Sequence, residues 1–267
     1  MPTLQYMSDL HLERIKYDFT ITKVAPILIL AGDIGRFCDY DLYRDFLARQ
    51  CAPDQFDMVL LVAGNHEFYG SSRETGLAAA EKLTKEPSMH GKLQFLNRSR
   101  IDLPGSLTTI LGCTLHSHIA AGYTKLTNDF ARIKEWSVKS HNVEHETDLA
   151  WLKHSLLNLK QEDPQRRAII ITHYAPLFDR VSHPKNENNA VSQCFSSNAL
   201  DSIQRAGLVP SLSSTHWIFG HTHWNVRLKR GNFVVLSNQL CNDDKNLTWY
   251  QKLRLFRPYN PSATIVT

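Results

Sequence analysis

The chain has 267 residues, 42% of them hydrophobic and 21% charged, and a formal net charge of +4. These values are ordinary for a globular protein long enough to bury its core without staples, and they exclude a disordered, collagenous or disulfide-scaffold chain. The mild positive balance accommodates an anionic substrate without arguing for nucleic acid.

A first strand is expected at residues 4–7. No basic region followed by a long apolar stretch precedes it, so no leader is read and a cytoplasmic location is expected. Residues 27–31 form a continuous apolar run, followed by a helix at 41–50, a second apolar run at 59–63 and an Ala-, Leu-, Glu- and Lys-rich helix at 74–85. A strand is expected at 107–112. The polar stretch 123–160 reads as largely helical, with Leu149, Leu152, Leu156 and Leu159 at helical spacing. Another apolar run at 168–172 precedes an Asn-rich loop at 187–197. Strands at 217–220, 226–228 and 233–236 follow, the last two joined by a hairpin turn at 229–232. Short apolar runs without alternation suit strands buried on both faces. The alternation of strand and helix argues for a layered α/β fold. By itself it does not choose a four-layer sandwich over a doubly wound sheet. With no internal repeat, residues 1–267 are expected to form one domain. No apolar segment has the length needed to span a bilayer. The five cysteines are widely spaced without a Cys-x-x-Cys pair, so free thiols are expected.

Polar clusters follow the strand-like runs. They are Ser8-Asp9-Leu10-His11, Gly32-Asp33-Ile34-Gly35, Gly64-Asn65-His66-Glu67, His173 after Thr172, and Gly220-His221-Thr222-His223. Asp9 and His11 are two apart, so on an extended segment both side chains point to one side. His221 and His223 repeat the spacing. The Asp33 carboxylate stands between glycines that let the backbone approach an ion closely, and a carboxylate can bridge two cations. Imidazole, amide and carboxylate donors suit borderline first-row divalent metals, and the lack of cysteine among them argues against a structural zinc. Asp-x-His, Gly-Asp and the single His173 are weak alone, since a turn, a helix cap or a rim histidine explains them as well, whereas Gly-Asn-His-Glu and Gly-His-Thr-His are moderately specific. Their weight lies in occurring together.

The order Asp-x-His, Gly-Asp, Gly-Asn-His-Glu, His, Gly-His-x-His runs from Asp9 to His223 and resembles the calcineurin-like metallophosphoesterase family. The resemblance implies a four-layer αββα sandwich of two mixed β-sheets flanked by helices, with a dinuclear metal site at strand ends. It implies Asp9, His11, Asp33 and His223 around one ion, Asp33, Asn65, His173 and His221 around the other, and His66 as a catalytic residue that binds no metal. The expected cofactors are two divalent or mixed-valence transition ions, of manganese, iron or zinc, with cobalt or nickel also accepted by the donors. Two ions about 3.5–4 Å apart would share a hydroxide that attacks phosphorus in line, with His66 as general acid or charge stabiliser.

The stretch Ile34-Gly35-Arg36-Phe37 lacks the second aspartate and the Arg-Gly pair of the phosphoprotein-phosphatase branch, which places the chain outside that branch. Glu67 is then a candidate to orient His66, or else a cap that stabilises the fold. The expected function is a metal-dependent phosphoric ester hydrolase. A phosphodiesterase acting on a small or medium substrate is preferred over a phosphomonoesterase or nuclease. A non-catalytic scaffold of the same fold is the reading from another class. The expected partner is a phosphate ester, with no membrane. Nucleic acid is not favoured, because the basic clusters at 97–100, 165–167 and 227–230 are short and read as solvated loops or hairpins. His116 and Arg132 are candidate substrate contacts, and Trp224 is a candidate for stacking on a base or ring. The helical stretch around 123–160 is expected to shape the pocket. His141, His145 and Asp148 form a trio that can bind metal, but exposed helix polarity explains them more simply.

Overall fold

A computed structural model describes residues 2–187, 189–208, 215–242 and 247–266. In chain order the elements begin with β1 (Thr3–Met7), α1 (Leu12–Ile15), β2 (Ile27–Ala31), α2 (Tyr40–Cys51), β3 (Met58–Val62) and α3 (Arg73–Lys85). Then come β4 (Leu93–Phe95), β5 (Ser99–Asp102), β6 (Thr108–Gly112), α4 (Asp129–Arg132), α5 (Val138–Glu162) and β7 (Arg167–Ile171). The last are α6 (Ala199–Arg205), β8 (Thr215–Phe219), β9 (Arg227–Arg230), β10 (Phe233–Ser237), α7 (Trp249–Leu255) and β11 (Thr264–Val266).

The strands form two mixed sheets, ordered β11-β1-β2-β3-β4 and β5-β6-β7-β8-β10-β9. In the first, β1 to β4 run parallel and β11 pairs antiparallel with β1. In the second, β6, β7, β8 and β10 run parallel, with antiparallel strands at both edges.

The apolar runs are continuous because both of their faces are buried. Along β2, Ile27, Ile29 and Ala31 join Leu60, Val62, Ile169, Ile171 and Ile218 in a core between the sheets. Leu28 and Leu30 of the same strand face outward and pack with Phe46 and Leu47 of α2 and Ala80 and Leu83 of α3. On the far side, Ile170, Trp217 and Phe219 pack with Leu152, Leu156 and Leu159 of α5 and Leu200 and Ile203 of α6. The layers are therefore helix, sheet, sheet, helix, as the family resemblance implied.

Strands β4, β5 and β11 escape sequence reading because they are short edge strands, β4 and β11 with one buried residue each and β5 with none. The basic cluster at 97–100 enters β5 instead of lying in a free loop. Arg98 pairs with Glu144 and Asp148, and Arg100 with Asp102 and Glu162. The expected turn at 229–232 narrows to Gly231-Asn232, where Gly231 takes φ +57°. Within the expected loop at 187–197, Asn189 caps a 3-10 turn over Ala190–Cys194, and Asn188 lies outside the described residues. The stretch 123–160 holds part of a 3-10 turn, α4 and most of α5. His141, His145 and Asp148 of α5 are buried, not exposed as their helical spacing suggested. All five cysteines are free thiols. Among the described residues no helix is long and apolar enough to cross a membrane.

Candidate metal centre

Parallel strands deliver their carboxyl ends to one edge, where crossover loops leave room for a ligand. The turns after β1, β2, β3, β7 and β8 meet at that edge. Backbone bonds stitch them together: Asp9 N donates to Gly32 O (3.0 Å), His11 N to Asp33 O (3.0 Å) and Gly220 N to His173 O (2.9 Å). The local geometry differs from the extended segments expected from the spacing. Asp9, His11, Asp33, His221 and His223 all have positive φ, between 49° and 71°. Left-handed backbone at non-glycine residues costs about 1–3 kcal/mol each and persists only where the surroundings enforce it. Glycine makes the approach possible at Gly64, where a Cβ would collide with Asp33 Oδ1 and with His173 Nε2.

The donor atoms fall into two sets. In the first, His11 Nε2 lies 3.1 Å from His223 Nε2 and 3.9 Å from Asp33 Oδ2, and His223 Nε2 lies 3.5 Å from Asp9 Oδ1. In the second, His173 Nε2 lies 3.3 Å from Asp33 Oδ1, 3.2 Å from Asn65 Oδ1 and 3.2 Å from His221 Nδ1. The two oxygens of Asp33 thus face different sets. The Asp9–His11–His223 and Asp33–His173–His221 groups each bring their ligand atoms within 4.8 Å of one another.

These atoms suit cations. His173 Nδ1 is 3.0 Å from Ala31 O and His221 Nε2 is 3.2 Å from Cys194 O. A carbonyl accepts only, so the ring proton sits on that side and the facing nitrogens, 3.2 Å apart, both offer lone pairs inward. Such an arrangement is repulsive until a positive charge lies between the rings. Against protein groups alone a proton fills that need: burial opposes it, but the Asp33 carboxylate raises His173 to about 9. Burial and the neighbouring His173 together push His221 well below its ordinary value. Among the described residues no Lys or Arg pairs with Asp9 or Asp33. The donors are all nitrogen and oxygen, which fits first-row divalent ions.

His66 sits at the rim, its Nε2 3.9 Å from Asp33 Oδ2. Its Nδ1 is 2.8 Å from Glu13 Oε1, and the same oxygen is 3.3 Å from His11 Nδ1. Burial works against the Glu13 carboxylate, yet hydrogen bonds with His11 and His66 hold it down to about 2. Sequence reasoning missed Glu13, although Asp9, His11 and Glu13 share one spacing. Glu67, the candidate partner of His66, instead accepts from the backbone N–H groups of Asp33 (2.8 Å), Ile34 (2.8 Å) and Gly64 (2.7 Å). It therefore ties the β2 and β3 turns together, the stabilising alternative. Asp129 was also missed as a site residue. It accepts from Asn65 Nδ2 (2.8 Å), Tyr69 Oη (2.7 Å) and Tyr174 Oη (3.0 Å), which turns the Asn65 amide so that its oxygen faces the centre.

The other expected contacts are scattered. His116 is 2% exposed and lies against Tyr174, Trp136 and His141, behind the centre. Trp224 is 3% exposed and packs on His183 and Phe256. Arg132 ends α4 and lines a cleft beside His66.

A family model described as calcineurin-like phosphoesterase matches residues 6–225. Among solved structures, the phosphopantetheinyl hydrolase of Mycobacterium tuberculosis superposes with a TM-score of 0.67 at 16% identity, over 99% of this chain and 96% of that one. A dimetal phosphatase from Danio rerio gives a TM-score of 0.55 at 16% identity, over 89% and 87%. At such identities the likeness is one of fold. No curated protein matches the chain.

Proposed function

The chain belongs to the calcineurin-like phosphoesterases, and we propose that it is a two-metal hydrolase of phosphate esters that prefers a small or medium diester. The division of Asp33, one oxygen toward each donor set, is the observation that carries the hydrolytic reading. Asp9, His11, Asp33 and His223 would hold one ion, and Asp33, Asn65, His173 and His221 the other. Such ions supply Lewis acidity toward the phosphoryl oxygens and lower the pKa of water enough for attack near neutral pH. Glu13 accepts from His66 Nδ1 and so leaves Nε2 facing inward, to hold a proton at that atom and give it to the leaving oxygen. Asp129 keeps the Asn65 amide from flipping.

The diester preference rests on the missing phosphoprotein-phosphatase extension after Asp33. A nuclease is disfavoured because Arg98, Arg100, Arg166 and Arg230 in the basic clusters pair with carboxylates, so they form no free phosphate track. We further propose that the helical stretch around 123–160 walls the substrate cleft, since Asp129 ties it to Asn65. A panel of mono- and diesters assayed with manganese, iron, zinc, cobalt and nickel tests the reading. Turnover with a preference for diesters is expected. A metal-replete protein inactive on the whole panel would turn the assignment to a scaffold.

A further inference from the structure

Beside His66 opens a cleft of about 490 Å³ whose wall carries Arg14, Arg36, Arg132 and Lys134, with Glu13 at its inner edge. The Glu13 carboxylate is engaged by His66. Arg36 is held by Asp39 through two bonds of 2.9 Å, and Arg14 Nε lies 3.7 Å from Glu13 Oε1. Arg132 and Lys134 are exposed and make no side-chain ion pair among the described residues. The wall therefore has surplus positive charge.

The backbone that carries these two cations is fixed relative to the reacting centre. Gly70 N donates to Arg132 O and Lys134 N to Ser71 O, each at 2.9 Å, and Ser72 bridges Lys134 in strand fashion. Asp129, at the start of the same short helix, grips Asn65 and Tyr69. The segment 129–134 is thus fastened at both ends to the loop that carries Asn65 and His66.

We propose that the substrate bears a second phosphate on its leaving group, seated among these cations, an inference that rests on the hydrolytic reading above. In-line displacement sends the leaving oxygen away from the attacking water. His66 Nε2 is the atom placed to protonate that oxygen, so whatever the oxygen carries lies in the cleft next to His66. A neutral leaving group gains nothing from unpaired cations there. A phosphate gains charge-assisted hydrogen bonds, and guanidinium forks match its geometry. The step balances without a co-reactant. Water oxygen forms the new bond to phosphorus, and the bond to the leaving oxygen breaks with its electron pair. That oxygen takes the proton of His66 Nε2, and one proton of the water restores the ring. The leaving alcohol departs with its own phosphate intact.

The test uses phenyl phosphates, as monoesters and as methyl diesters, that differ only in a para-methyl, para-trimethylammoniomethyl or para-phosphonomethyl group. The phosphonate resists hydrolysis, so released phenol reports one reaction. With the metal-loaded full chain, the phosphonomethyl ester should exceed the methyl ester in kcat/KM by about 10- to 100-fold, and the trimethylammoniomethyl ester should be the poorest. In the doubly substituted Arg132→Gln, Lys134→Gln protein that ratio should fall toward one. A wild-type ratio at or below one, or a ratio unchanged in the folded double variant, overturns the proposal while leaving the hydrolytic reading intact. Failure to hydrolyse any ester in either series contradicts that reading and this inference with it.

Discussion

Two clusters of histidine and carboxylate share the ring of Tyr174. One face meets His221 of the strand-end centre, with ring centroids 4.1 Å apart. The ring also stacks on His116, at 5.4 Å, which belongs with His141, His145 and Asp148. Both clusters begin at left-handed turns after a strand, since Leu115 and His116 also take positive φ, 73° and 46°. They differ in how charge is balanced. In the second cluster, Asp148 accepts from Arg98 and from Leu115 N at 2.8 Å, and Glu144 meets both Arg98 and Arg73. Guanidinium groups there do what a metal would do. In the strand-end centre the two carboxylates face imidazoles and backbone N–H groups, and inward-facing nitrogens are left over. A buried polar cluster is therefore recognised as a cation site by what its charges lack within the protein, more than by its residue types.

The contrast can be broken by substitution. The largest expected effect is on the catalytic side: His66→Ala should lower turnover about 10²- to 10⁴-fold while metal analysis shows both ions retained. Loss of metal together with activity would reassign His66 as a ligand. On the closed side, Asp148→Ala leaves buried charge uncompensated and should cost about 3–5 kcal/mol in urea unfolding with metal content unchanged. An unchanged midpoint would remove the structural role. Between them, Glu13→Gln weakens the hold on His66 and should cost about 10- to 100-fold in turnover; a value equal to wild type would mean that His66 needs no partner.

The smallest effect sharpens the second cluster. Burial, and then His116, push His141 down from 6.5 to about 3, and burial likewise lowers His116 and His145. The nearby carboxylates Asp129 and Asp148 only partly offset this. The unfolded chain takes up these protons below about pH 6.5 and the folded one does not, so stability is full above that pH and falls as pH drops toward 3. His141→Gln should flatten the acid limb of melting temperature against pH by about one proton. Parallel limbs for variant and wild type would contradict it.

The inner strands are legible because burial on both faces writes unbroken apolar runs, as at Ile27–Ala31. Edge strands such as Ser99–Asp102 alternate between half-buried and exposed positions and read as polar loops. The candidate ligands could be named because motif order marks them. Glu13 carries no such mark, since it is the second residue of a four-residue helix and looks like surface charge. Asp129 lies 64 residues from the amide it orients, a relation only the tertiary structure supplies. His116-Ser117-His118 copies the spacing of Asp9-Leu10-His11, yet His116 turns into the closed cluster, its Nδ1 3.7 Å from Asp148, while His118 is exposed.

The central claim is that Asp33 joins two ion sites, and metal stoichiometry after equilibrium dialysis of wild type and Asp33→Asn against manganese tests it most directly. Wild type should bind two ions per chain, and the amide, which cannot bridge as a carboxylate does, should weaken both. Two ions bound by Asp33→Asn with wild-type affinity would contradict the account.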